Sequence, residues 1–184
     1  MKMDIVAGSQ NDEFYTPEYA VRPILKYLKP RSTIWCPFDT QESNFVRMLD
    51  REGHKVIHSH KNVIVPLNVT QHSMVDGDFF YAPEVDCDYI ISNPPYSLKN
   101  EVFEKLFSLG KPFAMLVGVV GLFESQKRFE MFRNNQFEIM YLNRRVAYFK
   151  DFSEQKPSLN PPFSSVYLCK DILPKQIIFE EIQK

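Results

Sequence analysis

The fold of this chain is decided by the stretch Asp88-Tyr89-Ile90-Ile91-Ser92-Asn93-Pro94-Pro95-Tyr96. Its first half is apolar and β-branched, which predicts a short buried strand. The two prolines end this strand, because each one fixes φ, lacks an N–H and holds the preceding residue in an extended conformation. The chain therefore leaves the strand in a rigid, extended loop that begins at Asn93.

This loop carries groups that suit the binding of a planar amine. The Asn93 carboxamide offers an acceptor oxygen, the Pro94 carbonyl offers a second, and Tyr96 adds a flat aromatic face. Two acceptors aimed at an NH₂ group would orient its lone pair while the ring stacks on the attached heterocycle. The alternative is that Asn-Pro-Pro is only a turn after a strand. Its position favours function, because open α/β sheets bind ligands at the carboxyl ends of their strands.

The same residues carry a family resemblance. The segment 92–96 resembles the Asn-Pro-Pro-Tyr signature of S-adenosylmethionine-dependent amino-methyltransferases, above all the adenine-N6 DNA methyltransferases. Two further segments follow the order of that family's gamma arrangement, and the resemblance, which is to a compact, phage-type member, covers roughly residues 14–168. It implies that S-adenosylmethionine is the cofactor and that the catalytic residues are Asn93, Pro94, Pro95 and Tyr96.

The succession of elements predicts an α/β fold. Apolar runs of strand length alternate with amphipathic helical segments through the middle of the chain, which is typical of an open, mainly parallel sheet covered on both faces. The resemblance implies the Rossmann-like methyltransferase fold, with seven strands of which the last is antiparallel. At 184 residues we expect one domain, residues 14–184, after a flexible arm at 1–13. We also expect an inserted strand or hairpin at 63–70, and an apolar tail docked on the core.

Three segments are implied to bind the cofactor. Tyr15, Thr16 and Pro17 would border its methionyl end, although a helix with Thr16 as N-cap and Pro17 at its first position would also explain them. Asp78 would accept from the adenine amine and Phe79 would pack nearby, although the preceding Asp-Gly is a common turn.

The third cofactor segment departs from the family pattern. Pro37, Phe38 and Asp39 stand where the family has Asp-Pro-Phe-x-Gly-x-Gly, but Thr40 and Glu42 replace the glycines. Glycine serves there to let the backbone approach a ligand or adopt a positive φ. Asp39 and Glu42 would compensate by pairing with the cationic amino group of the methionine moiety.

The net charge of −1 does not indicate a polyanion ligand, but the distribution of charge along the chain favours one. Residues 125–156 hold seven bases against four acids. The long polar loop at 143–162 is of the kind that is functional or disordered. We expect a nucleic-acid contact there through Arg144, Arg145, Lys150 and Lys156. An ordinary solvated surface is the alternative.

Other features limit the class of protein. Cys36, Cys87 and Cys169 lie far apart in apolar surroundings, which indicates buried thiols in a reducing cytoplasm. Three histidines near β-prone residues lack the companions of a metal site, so no metal is expected. No apolar run reaches membrane-spanning length. We therefore expect a soluble, cytoplasmic protein.

The leading interpretation is methyl transfer to the exocyclic amine of adenine in nucleic acid, DNA rather than RNA. The chain leaves little room for a target-recognition domain, so it would act on single strands or RNA, with little sequence preference, or through a protein partner. A second hypothesis is a methyltransferase-shaped binding module without activity, because the cofactor loop is altered. A third is methylation of RNA or of a protein glutamine, whose amines fit the same acceptors.

Overall fold

A computed structural model describes residues 15–61, 73–74, 78–82, 84–149, 156 and 163–183. This part of the chain contains four α-helices and eight β-strands. The helices are α1 (Glu18–Leu25), α2 (Asn44–Arg51), α3 (Lys99–Leu109) and α4 (Gln126–Asn134). The strands are β1 (Thr33–Cys36), β2 (Lys55–His58), β3 (Ser73–Met74), β4 (Tyr89–Ser92), β5 (Phe113–Gly118), β6 (Glu138–Leu142), β7 (Ser165–Lys170) and β8 (Ile177–Glu180). The predicted arm at 1–13 and the predicted hairpin at 63–70 lie outside the described residues.

All eight strands form one sheet in the order β3-β2-β1-β4-β5-β7-β6-β8. Only β7 is antiparallel to its neighbours, β5 and β6, while the other pairs are parallel. The α/β class and the antiparallel seventh strand are confirmed. We expected Ile177, Ile178 and Phe179 of the tail to dock on the core. The tail instead adds an eighth strand, which pairs in parallel with β6 on the side away from β7. Ile178 packs against the core, but Ile177 and Phe179 are exposed.

Apolar side chains cover both faces of the sheet, as the α/β pattern predicts. Neighbouring strand residues point to opposite faces: Ile34 and Ile91 belong to the core beneath α1 and α2, whereas Trp35 and Ile90 belong to the core beneath α3. All four are nearly or fully buried. Strands buried on both faces need continuous apolar runs, which explains why β4 and β5 read as uninterrupted hydrophobic sequence.

The N-terminus of α1 differs from the prediction. The helix begins at Glu18, and Pro17 occupies the N-cap position with φ −70° and ψ 152° and no side-chain cap. The expected cap by Thr16 is therefore wrong, because Thr16 stands one residue too early. The later helices do use serine caps: Ser43 Oγ accepts from Phe45 N at 3.1 Å, and Ser125 Oγ accepts from Arg128 N at 3.1 Å.

Two apolar predictions also need correction. The sequence of residues 125–134 predicts a helix with Phe129 and Phe132 on its inner face. In the structure Phe132 is buried, but Phe129 is 53% exposed. Phe132 is the buried residue of helix α4, and its ring contacts those of Phe103 and Phe123. In the loop expected to be polar, residues 146–149 are buried, because they return to the core beside the start of the described chain.

Candidate active site

The sheet reverses its strand order between β1 and β4. From β1 the order runs to β2 and β3 on one side, and to β4 and β5 on the other. The loops that follow two such strands diverge onto opposite faces and leave a crevice at the carboxyl ends, which is where open α/β sheets bind ligands. The loop after β1 holds residues 37–43, and the loop after β4 begins at Asn93.

A buried carboxylate joins these two loops. Asp39 accepts a hydrogen bond from Ser43 Oγ through one oxygen and from Ser92 Oγ through the other. Its own N–H donates to the Ser59 carbonyl at 3.1 Å. Asp39 thus ties the loop after β1 to Ser59, which follows β2, and to Ser92, the last residue of β4. Ser92 stands directly before Asn93.

The surroundings of Asp39 disfavour its charge. Burial raises the pKa of this carboxyl from 3.8 to about 6, and the hydrogen bonds from the two serines oppose that rise. Because both oxygens already accept from serine hydroxyls, Asp39 is held inside the protein, whereas Glu42 is exposed. The suggested pairing of these two acids with a cofactor amine stays a prediction.

Ser59 fixes the end of β2 through three hydrogen bonds. Its Oγ accepts from Trp35 Nε1 at 3.2 Å and donates to the Pro37 carbonyl at 3.4 Å, and its N–H donates to the Cys36 carbonyl at 3.1 Å. These bonds hold the residues after β1 against β2. The sequence did not predict this role for Ser59, because a serine after a strand is ordinary.

The predicted catalytic residues follow β4 directly. Pro94 is buried, Asn93 is half-buried with its side-chain oxygen shielded from solvent, and Pro95 leads into a single 3₁₀ turn at Tyr96–Leu98. The Tyr96 ring lies 5.1 Å from that of Phe163 and 6.5 Å from that of Tyr148, at steep angles. Lys99 Nζ lies 5.6 Å from its centre. Tyr96 is thus one member of an aromatic cluster.

Tyr148 anchors this cluster, and the sequence interpretation missed it. The side chain is buried, and its hydroxyl shares a 2.7 Å hydrogen bond with Ser165 Oγ. Burial raises the pKa of Tyr148 to about 12, so the phenol stays protonated. The signal was present, since the apolar run at 146–149 interrupts an otherwise polar loop.

The start of the described chain closes on the same region. Tyr15 and Phe149 exchange two backbone hydrogen bonds of 3.0 and 2.9 Å. The Thr16 carbonyl accepts from Asn44 Nδ2 at 2.9 Å, at the beginning of α2. Thr16 Oγ1 is buried and makes no hydrogen bond within the described chain. A buried hydroxyl of this kind is a candidate contact for a bound ligand.

Together these contacts form a closed circuit through the predicted site. It links the first cofactor segment, the loop after β1, the Asn-Pro-Pro-Tyr loop and the aromatic cluster, whose members in the circuit range from residue 15 to residue 149. In order around the circuit, the members are Thr16, Asn44, Ser43, Asp39, Ser92, Asn93, Tyr96, Tyr148, Phe149 and Tyr15.

Asp78 and Phe79 join the site through one neighbour. The Phe79 ring lies 4.9 Å from that of Phe38 and 5.5 Å from that of Trp35, and it is buried. Asp78 Oδ1 accepts from Phe80 N at 3.0 Å and so closes its own turn. Phe79 therefore supports Phe38 from the core, while Asp78 stays half-buried.

The predicted nucleic-acid contacts lie outside the circuit. Arg144, Arg145 and Lys156 are exposed, and Lys150 lies outside the described residues. Arg144 and Arg145 follow β6 and precede Tyr148 by a few residues, which places them on the chain that leads into the aromatic cluster.

The loop after β1 does not need glycine for its backbone conformation. In the part of the chain that the structure describes, positive φ occurs at three glycines and at Arg31 and Asp171. Thr40 and Glu42 are not among them, so their side chains cause no backbone strain. In this respect the loop fits a bound methyl donor.

We expect Gly118→Ala to disturb the aromatic cluster. A Cβ at Gly118 would lie 3.0 Å from the Phe163 ring, so that ring would have to move away. The expected cost is about 1–3 kcal/mol in the free energy of unfolding, measured by urea denaturation. In the double variant with Phe163→Leu the cost should be smaller than the sum of the two single costs. Strict additivity would contradict the contact.

Among the described residues no three His, Cys, Asp or Glu side chains cluster as metal ligands would. The described cysteines Cys36, Cys87 and Cys169 are buried free thiols, as predicted. No helix in the described part of the chain combines the length and apolar character that a bilayer crossing requires.

Comparison with known proteins identifies the fold. No protein-family model matches the chain, and no curated protein sequence matches it significantly. Solved structures do resemble it. A dimethyladenosine transferase from Plasmodium falciparum matches with a TM-score of 0.58 and 12% identity over 85% of this chain and 62% of that one. A putative RNA methyltransferase from Pyrococcus horikoshii matches with 0.55 and 12% over 89% and 88%.

A predicted O-methyltransferase from Agrobacterium tumefaciens matches with a TM-score of 0.52 and 10% identity over 89% of this chain and 84% of that one. A TehB-like S-adenosylmethionine-dependent methyltransferase from Corynebacterium glutamicum matches with 0.50 and 14% over 90% and 91%. This chain therefore has the Rossmann-like methyltransferase fold, as its sequence predicted. Its particular activity has to be argued from the site.

Proposed function

We propose that this chain transfers a methyl group from S-adenosylmethionine to the exocyclic amine of adenine in nucleic acid. The observation that carries the proposal is the place of the Asn-Pro-Pro-Tyr loop. It follows β4 at the reversal of strand order, and the preceding Ser92 is bonded to Asp39 in the loop after β1. The loop that would contact the methyl donor and the loop that would contact the acceptor base are thereby held together.

The chain's contribution to this reaction is chiefly positioning. S-adenosylmethionine, when bound, supplies an electrophilic methyl group that needs no further activation. Asn93 Oδ1 and the Pro94 carbonyl would accept the two hydrogens of the adenine amine, which directs its lone pair at the donor. Tyr96, held by Tyr148 and Phe163, would stack on the base. Holding two reactants in such geometry can supply roughly 7–11 kcal/mol.

The proposed cofactor contacts come from three segments, 15–17, 37–39 and 78–79. Tyr15, Thr16 and Pro17 would border the methionyl end, and the Thr16 hydroxyl is a buried group with hydrogen-bonding capacity left over. Pro37, Phe38 and Asp39 would line the loop beneath the donor. Asp78 and Phe79 would lie at the adenine end, where Phe79 already backs Phe38.

DNA is the proposed substrate, and RNA is the comparison that the assay must include. A base must leave its stack to reach a site at the edge of a sheet, so an unpaired or flipped adenine is required. Arg144, Arg145, Lys150 and Lys156 would hold the phosphate backbone. A dimethyladenosine transferase and an RNA methyltransferase among the structural neighbours are consistent with a nucleic-acid substrate. A protein partner would supply sequence recognition.

A radiolabelled methyl-transfer assay tests the proposal. Duplex DNA, single-stranded DNA, RNA and a glutamine-containing peptide are each incubated with the protein and labelled S-adenosylmethionine. We expect label in DNA, and most in single strands or in unpaired adenines. Label in RNA alone or in the peptide alone would show that this molecule, and not DNA, is the substrate. No label in any of the four would contradict the proposed activity.

The second candidate is a binding module without activity, and the side chains of Thr40 and Glu42 favour it because they fill room that glycine would leave open. Calorimetry separates the two candidates. If the enzyme is active, S-adenosylmethionine should release or absorb heat on binding and raise the melting temperature, because a ligand of the native state stabilises it. An unchanged melting temperature at about 1 mM ligand would favour the module.

The same measurement on a loop variant makes the test sharper. Restoring both glycines, as Thr40→Gly with Glu42→Gly, should tighten cofactor binding if the two side chains obstruct the loop. Equal affinity in the variant would show that they do not. The variant is not expected to misfold through backbone strain, since neither position needs a positive φ or forbids a negative one.

A further inference from the structure

Strand β8 forms one edge of the sheet and exposes two large apolar side chains. It is the last strand in the order, next to β6. Ile177 is 53% exposed and Phe179 is 78% exposed, and both lie on the same face because they are two residues apart in a strand. Phe179 stacks on Tyr141 of β6 at 5.5 Å and 20°. Exposed apolar edge strands are sites of pairing with another chain, which proteins otherwise protect with charge or proline.

The backbone of β8 leaves a regular set of groups on its outer side. The Gln176 and Glu180 carbonyls accept from Ile139 N and Asn143 N, at 2.7 and 3.0 Å. Residues 176, 178 and 180 therefore turn their backbone groups toward β6. By alternation, residues 177 and 179 turn theirs outward, on the side where no described strand lies.

The sequence of β8 is complementary to itself when it is read antiparallel. The residues 175–181 are Lys-Gln-Ile-Ile-Phe-Glu-Glu. With a two-fold axis at Ile178, Lys175 stands opposite Glu181 of a second copy, and Ile177 stands opposite Phe179. Residues 177 and 179 are also the ones whose backbone groups face outward, so each such pair can exchange two hydrogen bonds.

Neighbouring registers lack this match. A two-fold axis at Phe179 would place Ile177 opposite Glu181, and it would leave Lys175 without an acidic residue across from it. Only the axis at Ile178 combines an apolar pair, an opposite-charge pair and outward-facing backbone groups, each repeated twice by symmetry.

We propose that β8 pairs antiparallel with β8 of a second copy of this chain, about an axis at Ile178, so that two eight-stranded sheets join into one. The apolar pairs bury Ile177 and Phe179, and the two Lys175–Glu181 pairs flank them. The partner is a second copy because the charges and the apolar residues match their own image, which an unrelated strand would match only by coincidence. The inference is independent of the proposed activity, because β8 lies at the far edge of the sheet from the β1–β4 crevice.

Sedimentation equilibrium over a concentration series, from about 1 to about 200 µM, tests the pairing. The wild-type chain should approach twice its mass of 21.7 kDa as the concentration rises. Phe179→Glu should stay at the mass of one chain throughout. The matched control is Phe129→Glu, which also places a glutamate at an exposed phenylalanine but on α4, and which should dimerise like the wild type. Circular dichroism of each variant confirms that it is folded.

A charge exchange tests the register. Lys175→Glu converts both flanking pairs to repulsion and should weaken dimerisation about tenfold or more. Adding Glu181→Lys to that variant restores opposite charges and should return the dissociation constant to near its wild-type value. A monomeric wild type at every concentration would overturn the proposal and leave this edge to a different partner. The proposal would also be overturned if Phe179→Glu dimerised like the wild type. The same holds if adding Glu181→Lys to Lys175→Glu failed to restore dimerisation.

Discussion

Replacing Asn93 by alanine is expected to abolish methyl transfer while leaving the fold intact. The residue lies in the loop after β4 and is only half-buried, so the strand and its core contacts do not depend on its side chain. The carboxamide oxygen, in contrast, is one of two acceptors that would hold the substrate amine. Removing one preorganised hydrogen-bonding group from a reaction site typically costs about 10²–10³-fold in rate. Here we expect about 10³-fold or more, because orientation is the chief contribution of this site.

The measurement is the initial rate of label transfer to the best of the substrates tested, together with the affinity for S-adenosylmethionine. Asn93→Ala should lower the rate and leave cofactor affinity within about threefold, because the side chain would contact the base and not the donor. Asn134→Ala is the matched control, since Asn134 is exposed at the end of α4. Asn93→Asp keeps an acceptor oxygen and should retain more activity than Asn93→Ala. Full activity in Asn93→Ala would refute the assigned role.

Replacing Asp39 by asparagine is expected to remove a pH-dependent loss of stability. Folding raises the pKa of this carboxyl from 3.8 to about 6, so the folded chain holds the proton more tightly than the unfolded chain. The contribution of Asp39 to the free energy of unfolding therefore falls as the pH rises from about 4 to about 6, and stays low above that. A shift of about two units corresponds to about 3 kcal/mol.

Asparagine should keep the contacts of the buried network without the charge. Its oxygen can accept from the Ser43 hydroxyl, and its amide can donate to Ser92 Oγ. Alanine would instead leave both serine hydroxyls buried without their acceptor, since Ser43 and Ser92 are themselves buried. We expect Asp39→Ala to be about 2 kcal/mol or more less stable than Asp39→Asn.

Urea denaturation of wild type, Asp39→Asn and Asp39→Ala between pH 4 and pH 8 checks both statements. The difference in stability between wild type and Asp39→Asn isolates the carboxyl, because other titrating groups are common to both proteins. Above pH 6 Asp39→Asn should be the more stable of the two. A difference that does not change with pH would contradict the raised pKa, and equal stability of the alanine and asparagine variants would contradict the bonds to the serines.

Much of the sheet could be predicted from local sequence. The runs at 33–36, 55–58, 89–91, 113–120 and 138–142 predict β1, β2, β4, β5 and β6 to within two residues. They can be recognised because strands that are buried on both faces require hydrophobic residues. The eighth strand could not be predicted in the same way. In Ile177–Glu180 two of the three apolar residues are exposed and only Ile178 packs against the core, so the strand depends mainly on its pairing with β6.

The candidate site divides in the same manner. The Asn-Pro-Pro-Tyr loop is a local signal, because prolines restrict the backbone wherever they occur. The roles of Ser59 and Tyr148 were not predicted, since they depend on partners more than 15 residues away in sequence. Phe129 was misplaced for a related reason: helical spacing indicates which face is apolar, but only the neighbouring elements decide how much of that face is covered.

The sequence by itself determined the alternation of strands and helices, the rigid loop after β4 and the place of the amine-binding groups at a strand end, since each follows from the conformational limits and hydrophobicity of consecutive residues. Only the tertiary structure decided that Asp39 bridges to Ser92, that Tyr148 supports Tyr96, and that β8 is an edge strand among the strands that the structure describes. These features depend on contacts between segments that the chain brings together when the whole sheet assembles, and no local preference encodes them.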